Sequence, residues 1–135
     1  MRQLAHRYVA GVAAMSRICD GAMTVALAIG DPNGIGPEIA VKAAAQIARD
    51  EGGEHGEHAV HPQPRIVLFG DAFVIRRYTR HCCPELKLRL VQVDEMPAAE
   101  PNAIDIVDVA SLPAEAFVPG EVAPAAGTAT LAYVS

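Results

Sequence analysis

Four groups of residues in this chain of 135 have types and spacing that could do chemistry. The first is Gly30-Asp31-Pro32-Asn33-Gly34-Ile35-Gly36-Pro37-Glu38, between an apolar run and an amphipathic one. Glycines in that setting expose backbone N–H groups at a helix start, where the helix dipole favours an anion. Gly34, Ile35 and Gly36 would present those donors, while Asp31 would resist an anion placed close to it. The spacing fits neither G-x-G-x-x-G nor G-x-x-x-x-G-K-[ST], the two nucleotide fingerprints built on such loops. From the residues alone two readings stand: a weak anion site, and a tight strand-to-helix turn with no ligand.

The second group is His55, His58 and His61, an H-x-x-H-x-x-H run that could take zinc or nickel. Gly52, Gly53 and Gly56 make that loop costly to order, so it is read as solvated. The third, His81-Cys82-Cys83-Pro84, has adjacent thiols that cannot chelate one metal comfortably, and is read as a helix end with one buried cysteine. The fourth is Asp105 and Asp108. Three apart on a strand, they fall on opposite faces and make no acid–base pair; one is free to face a helix dipole or a dimer partner, and otherwise both are expected in solvent.

The elements that must position these groups follow from periodicity. Thr24–Ile29 is a short β-branched apolar run, read as a strand buried on both faces. Ile35 to Arg49 has helical period, with Ile35, Ile39, Ala43 and Ile47 as its apolar stripe and Glu38–Lys42 as a favourable i,i+4 pair. Pro37 suits the first helical turn, where no N–H is needed. Residues 50–64 form a polar loop, and Glu51–His61 looks inserted. Arg65–Gly70 reads as a second buried strand, and Asp71–Cys82 as a helix with Asp71 at its N-cap and Phe73, Ile75, Tyr78 and Cys82 at mixed spacing. Leu86–Val93 and Ala103–Val109 read as strands, Ser111–Gly127 as irregular, and Thr128–Ser135 as the opening of a helix. The alternation predicts an α/β domain with a largely parallel sheet. The last helix has no capping signal, so the chain is expected to be cut in mid-helix.

Composition narrows the classes. Hydrophobic residues make up 51% of the chain, which excludes a disordered tail. With 11 Lys and Arg against 16 Asp and Glu, a net charge of −5 argues against a nucleic-acid binder and fits a cytoplasmic protein. Three cysteines with one adjacent pair form no disulfide framework and point to a reducing compartment. No apolar stretch approaches the roughly 20 residues of a membrane helix. The tract 1–22 is expected to be disordered, or to reflect a misassigned start with Met15 or Met23 as the true one; the unit of interest is 23–135.

Three stretches carry a resemblance. "LAIGDPNGIGPEIAVKA" resembles the N-terminal signature of the 4-hydroxythreonine-4-phosphate dehydrogenase family, "RIVLFGDAFVI" its second strand and following helix, and "VPGEVAPAAGTATLAYV" its entry into a long central helix. Order and spacing hold from about Met23 to Ser135 outside the inserted loop. Isocitrate and isopropylmalate dehydrogenases have a shorter "GDGIGPE" there, so Pro32 and Asn33 favour the hydroxythreonine-phosphate branch. The resemblance implies the N-terminal portion of an isocitrate/isopropylmalate-dehydrogenase-like α/β fold and of a homodimeric subunit. It implies NAD and a divalent metal (zinc, magnesium or cobalt) in the parent enzyme. That enzyme would oxidise and decarboxylate 4-hydroxy-L-threonine phosphate on the route to pyridoxal 5′-phosphate. Its metal ligands and catalytic residues are expected downstream of Ser135, leaving this chain silent by itself, with Gly34, Ile35 and Gly36 as a cleft wall near the cofactor. Relatives acting on threonate or erythronate phosphate, or on the cis-dihydrodiol of terephthalate, share a similar opening. The competing class is a non-catalytic α/β domain that binds an anion or a partner.

Overall fold

A computed structural model describes residues 18–19, 22–50 and 64–135. Its strands are β1 (Ile18–Cys19), β2 (Ala22–Ala28), β3 (Arg65–Gly70), β4 (Lys87–Leu90) and β5 (Ala103–Asp108). Its helices are α1 (Gly36–Asp50), α2 (Ala72–Cys82) and α3 (Pro124–Val134), with one 3₁₀ turn at Ala114–Ala116. The sheet order is β1-β2-β3-β5-β4. β2, β3, β5 and β4 run parallel, and β1 joins the edge of β2 antiparallel. The α/β fold with a parallel sheet read from the alternation is the one observed. The candidate metal loop of His55, His58 and His61 lies outside the described residues.

Leu68, Ile104 and Ile106 project from the central strands into a core shared with Val41 of α1 and with Val74 and Ile75 of α2. The buried side of α1 differs from the expected stripe. Ala40, Val41, Ala44, Ala45 and Ala48 face the core, while Ile35 is 71% and Ile39 54% exposed. Both sets have helical period, so spacing alone could not choose between them. Small side chains let α1 lie close to α2 and β3, and that closeness selects the alanine face. β2 is also less buried than expected: Thr24 to Ala28 are half-buried, and only Ile29 at its end is fully enclosed.

β5 separates its two aspartates as its alternation requires, but neither environment is simply solvent. Asp105 is only 4% exposed, on the face opposite Ile104 and Ile106. Arg65 Nε donates to its Oδ2 at 2.8 Å and Arg89 Nε to its Oδ1 at 2.7 Å. The same guanidiniums reach the carbonyls of Pro97 (2.5 Å) and Ala98 (3.0 Å), and Arg89 pairs with Glu100 at 3.1 Å, which ties the 91–102 connection to the sheet. Two guanidiniums offset the desolvation of one carboxylate, and removing both would leave a buried unpaired charge, at about 3–5 kcal/mol. Asp108 is exposed, and its Oδ1 accepts the N–H of Ala72 at 3.0 Å, the first residue of α2. It is therefore the aspartate at a helix dipole.

Two corrections concern helix starts. Asp71 stands at the N-cap position of α2 but makes no side-chain cap, a role that Asp108 fills from the neighbouring strand. α3 begins at Pro124 rather than Thr128: the proline that suggested irregular chain sits in the first turn, where its missing N–H costs nothing. Of α2's expected apolar positions only Ile75 is fully buried, alongside Ala72, Val74 and Thr79. Cys83 is buried and Cys82 half-buried, both free, as expected for a helix end. Burial, and then the Cys82 thiol beside it, pushes the Cys83 thiol up.

Gly36 is required by a close approach. A Cβ there would fall on the carbonyl oxygen of Ile29, whereas at Gly34 it would meet Asp31 at an ordinary 3.4 Å. Gly36→Ala is expected to cost about 2–3 kcal/mol, the range for overpacking, and Gly34→Ala less than about 0.5 kcal/mol. Urea denaturation followed by circular dichroism measures both, and equal losses would contradict this packing.

Candidate functional site

Open parallel α/β sheets place ligands outside the carboxyl ends of their strands. Here that edge carries the glycine loop after β2, Asp71 after β3, Ala110-Ser111-Leu112 after β5, and Tyr133 from the last turn of α3. Gly30 turns the chain out of β2 with φ +72°, and Pro32 and Asn33 tuck inward and are buried. Asn33 N–H donates to Asp31 Oδ1 at 2.9 Å, and Gly34 N–H to the Asp31 carbonyl at 3.0 Å. The N–H of Gly34 is thus consumed in closing the turn, contrary to its expected role as an anion donor. Ile35 and Gly36, at the start of α1, keep N–H groups with no acceptor among the described residues. Asp31 stays exposed beside them.

Asn33 works as a tether that sequence reading did not detect. Its Oδ1 accepts the N–H of Val118 at 3.0 Å, its Nδ2 donates to the carbonyl of Ala116 at 3.3 Å, and its carbonyl accepts Gly120 N–H at 2.6 Å. One buried amide therefore holds the segment entering α3 against the glycine loop. Only a side chain with both a donor and an acceptor can do this, which gives Asn33 a physical reason within "GDPNGIGPE".

Asp71 is the second hub. It is 1% exposed, and its Oδ1 accepts Ser111 N–H at 2.7 Å. Leu112 N–H reaches both oxygens, at 3.2 and 3.1 Å, and the Tyr133 hydroxyl donates to Oδ2. Charge-assisted bonds of this kind are about twice as strong as neutral ones and replace the lost hydration. Burial, followed by the Asp71 carboxylate, pushes the Tyr133 phenol well above its ordinary value. Ala110 holds a left-handed φ of 50°, a strained conformation for a residue with a Cβ. The Ser111 hydroxyl is buried without a hydrogen bond among the described residues. No group of three His, Cys, Asp or Glu that could hold a metal occurs among the described residues. What the edge offers is a rigid rim: two open N–H donors, a strained turn and a buried serine hydroxyl, held by Asn33 and Asp71.

No family model matches the chain. Over 84% of its length it is 67% identical to a terephthalate 1,2-cis-dihydrodiol dehydrogenase from Burkholderia xenovorans LB400, of which it covers 28%, with a TM-score of 0.60. It is 36% identical over 106 residues to a protein of Novosphingobium aromaticivorans named for 4-hydroxythreonine-4-phosphate dehydrogenase, covering 78% of this chain and 29% of that one. The 4-hydroxythreonine-4-phosphate dehydrogenase structure from Klebsiella pneumoniae matches 89% of the chain and 31% of its own, at 28% identity and a TM-score of 0.61. The chain thus spans about three tenths of the length of these relatives, and it resembles the 4-hydroxythreonine-4-phosphate dehydrogenases over most of its own length. No helix among the described residues is long and apolar enough to cross a membrane.

Asn33→Ala should destabilise the chain by about 1–3 kcal/mol, because the Val118 N–H loses its acceptor. In urea denaturation, an unchanged midpoint would show that the tether contributes nothing. The raised phenol of Tyr133 predicts an alkaline effect. Above about pH 10 an unfolded tyrosine ionises while the folded one keeps its proton. The stability from this bond is complete below pH 10 and is lost as pH climbs above it. Tyr133→Phe should flatten that decline in denaturation midpoints measured from pH 8 to 11, and a parallel decline in the variant would refute the assignment.

Proposed function

We propose that this chain is part of an NAD-dependent, divalent-metal-assisted dehydrogenase, homodimeric in its full form, whose substrate is the cis-dihydrodiol of an aromatic carboxylate. One observation carries the choice of substrate: 67% identity to a terephthalate 1,2-cis-dihydrodiol dehydrogenase, against 36% and 28% for relatives named for hydroxythreonine phosphate. The folds do not discriminate, since the TM-scores are 0.60 and 0.61. Specificity resides in side chains grafted on a shared fold, so the higher identity supports the dihydrodiol reading.

The chemistry joins both substrate classes. A secondary alcohol loses its proton and a hydride and becomes a ketone. In a dihydrodiol whose neighbouring ring carbon bears a carboxylate, that ketone is β to the carboxylate. The carboxylate leaves as CO₂, and its bonding pair enters the ring, which becomes an aromatic diol. When bound, NAD accepts the hydride and the metal lowers the pKa of the alcohol. The described residues do not fit a metal site, so no step is assigned to them through one. The open N–H groups of Ile35 and Gly36 suit an anionic oxygen of cofactor or substrate, and Asn33 and Asp71 fix the rim that carries them. A second reading, 4-hydroxy-L-threonine phosphate in pyridoxal phosphate biosynthesis, is supported by the Novosphingobium relative at 36% identity.

A segment exchange separates the two. The chain should replace the corresponding part of the Burkholderia xenovorans dihydrodiol dehydrogenase with NADH formation retained within about tenfold, a loss of no more than about 1.4 kcal/mol in transition-state stabilisation. In the Klebsiella enzyme the same exchange should abolish activity on hydroxythreonine phosphate. The opposite pattern would overturn the substrate assignment. The 135-residue chain alone, given metal, NAD and either substrate, should produce no NADH above background.

A further inference from the structure

The exposed side of α2 carries chemistry that none of the above uses. Phe73, Arg77 and Arg80 lie on one stripe, at i, i+4 and i+7. Phe117, from the segment before α3, closes the stripe on its open side. Its ring meets that of Phe73 edge to face, with centroids 5.6 Å apart and an interplanar angle of 81°. The Arg77 guanidinium stands 5.7 Å from the centroid of Phe117. These four side chains line an open recess of about 270 Å³, near the lower end of the range for small-ligand sites.

Charge pairing sets this recess apart. Lys42, Arg49, Arg65, Lys87 and Arg89 each pair with a carboxylate. Among the described residues Arg76, Arg77 and Arg80 do not, although the chain carries a net charge of −5 and has acidic groups in excess. All three are exposed on one helix. The Arg77 guanidinium lies within cation–π range of the Phe117 ring and pairs with no carboxylate among the described residues, which leaves its planar fork to bind a carboxylate or phosphate in bidentate fashion. Arg80 adds a second fork one turn further on. A ring edge, a ring face and two guanidiniums are what a planar aromatic anion requires.

We propose that the Phe73–Arg77–Arg80–Phe117 recess is a binding site for a small aromatic anion, a planar ring bearing a carboxylate or phosphate, lined by side chains other than those that build the carboxyl-end rim. The proposal does not depend on the substrate chosen above. Two sources share this chemistry, a benzene carboxylate and a nucleotide base, and the test distinguishes them. The purified chain is titrated with terephthalate, with trans-cyclohexane-1,4-dicarboxylate, with AMP and with inorganic phosphate, followed by amide chemical shifts of α2 and by calorimetry. Terephthalate or AMP should bind at least fivefold more tightly than the ringless or saturated anions, and whichever is tighter identifies the source. Arg77→Gln and Phe117→Leu should each weaken that binding about tenfold with the circular dichroism spectrum unchanged. Arg77→Lys, which keeps the charge but loses the planar fork, should weaken it nearly as much. Equal binding of phosphate and aromatic anions, binding indifferent to these substitutions, or no binding at millimolar concentration would each overturn the proposal.

Discussion

The rim of this domain depends on one buried carboxylate. Asp71 follows β3 directly, and a charge enclosed there is tolerated only if its lone pairs are filled. They are filled by two backbone amides from the turn after β5 and by a phenol from α3. Three segments distant in sequence therefore converge on one point, and none can shift without exposing a charge to an apolar interior. Asp108 adds to this arrangement by accepting N–H groups from Ala72 and Ala110, so the turn after β5 and the start of α2 share an anchor. The left-handed Ala110 is held from both sides by these bonds.

The rest of the edge obeys similar rules. Asn33 makes the glycine loop and the approach to α3 one unit, with Gly36 pressed against the Ile29 carbonyl beneath it. Gly70 lies against the Ile29 side chain as well, so the backbone of Ile29 crowds the start of α1 and its side chain the end of β3. On the opposite face of the sheet, Arg65 and Arg89 enclose Asp105 and hold a connection that has no secondary structure of its own. The carboxylates of Asp71 and Asp105 and the amide of Asn33 are buried, and each is matched by partners from distant parts of the chain. That pattern suits a scaffold that must hold a ligand-facing surface still.

Much of this was legible in advance. Apolar runs bounded by Gly, Pro and Asp marked the strands from Arg65 and Ala103 nearly to the residue, because a buried parallel strand leaves few other readings of such a run. The Cys82-Cys83 helix end was legible for the same reason: Pro84 cannot continue a helix. The polar hubs were not. An aspartate before a helix looks like a cap whether its side chain turns to its own helix or to a loop 40 residues away. Asp105 looked like a solvent residue because its two arginines lie 40 and 16 positions distant.

Sequence by itself determined the order of strands and helices, the parallel sheet, the strand-turn-helix at Gly30–Glu38 and the family resemblance, since each rests on local spacing or on a run of residues read in order. Only the tertiary structure decided which face of α1 is buried, which carboxylates are enclosed and by what, and that Gly34 spends its N–H while Ile35 and Gly36 do not. The reason is physical. Periodicity defines candidate faces, but burial and hydrogen bonding are properties of pairs, and the deciding partner of Ala44, Asp71 or Asn33 lies in a different part of the chain.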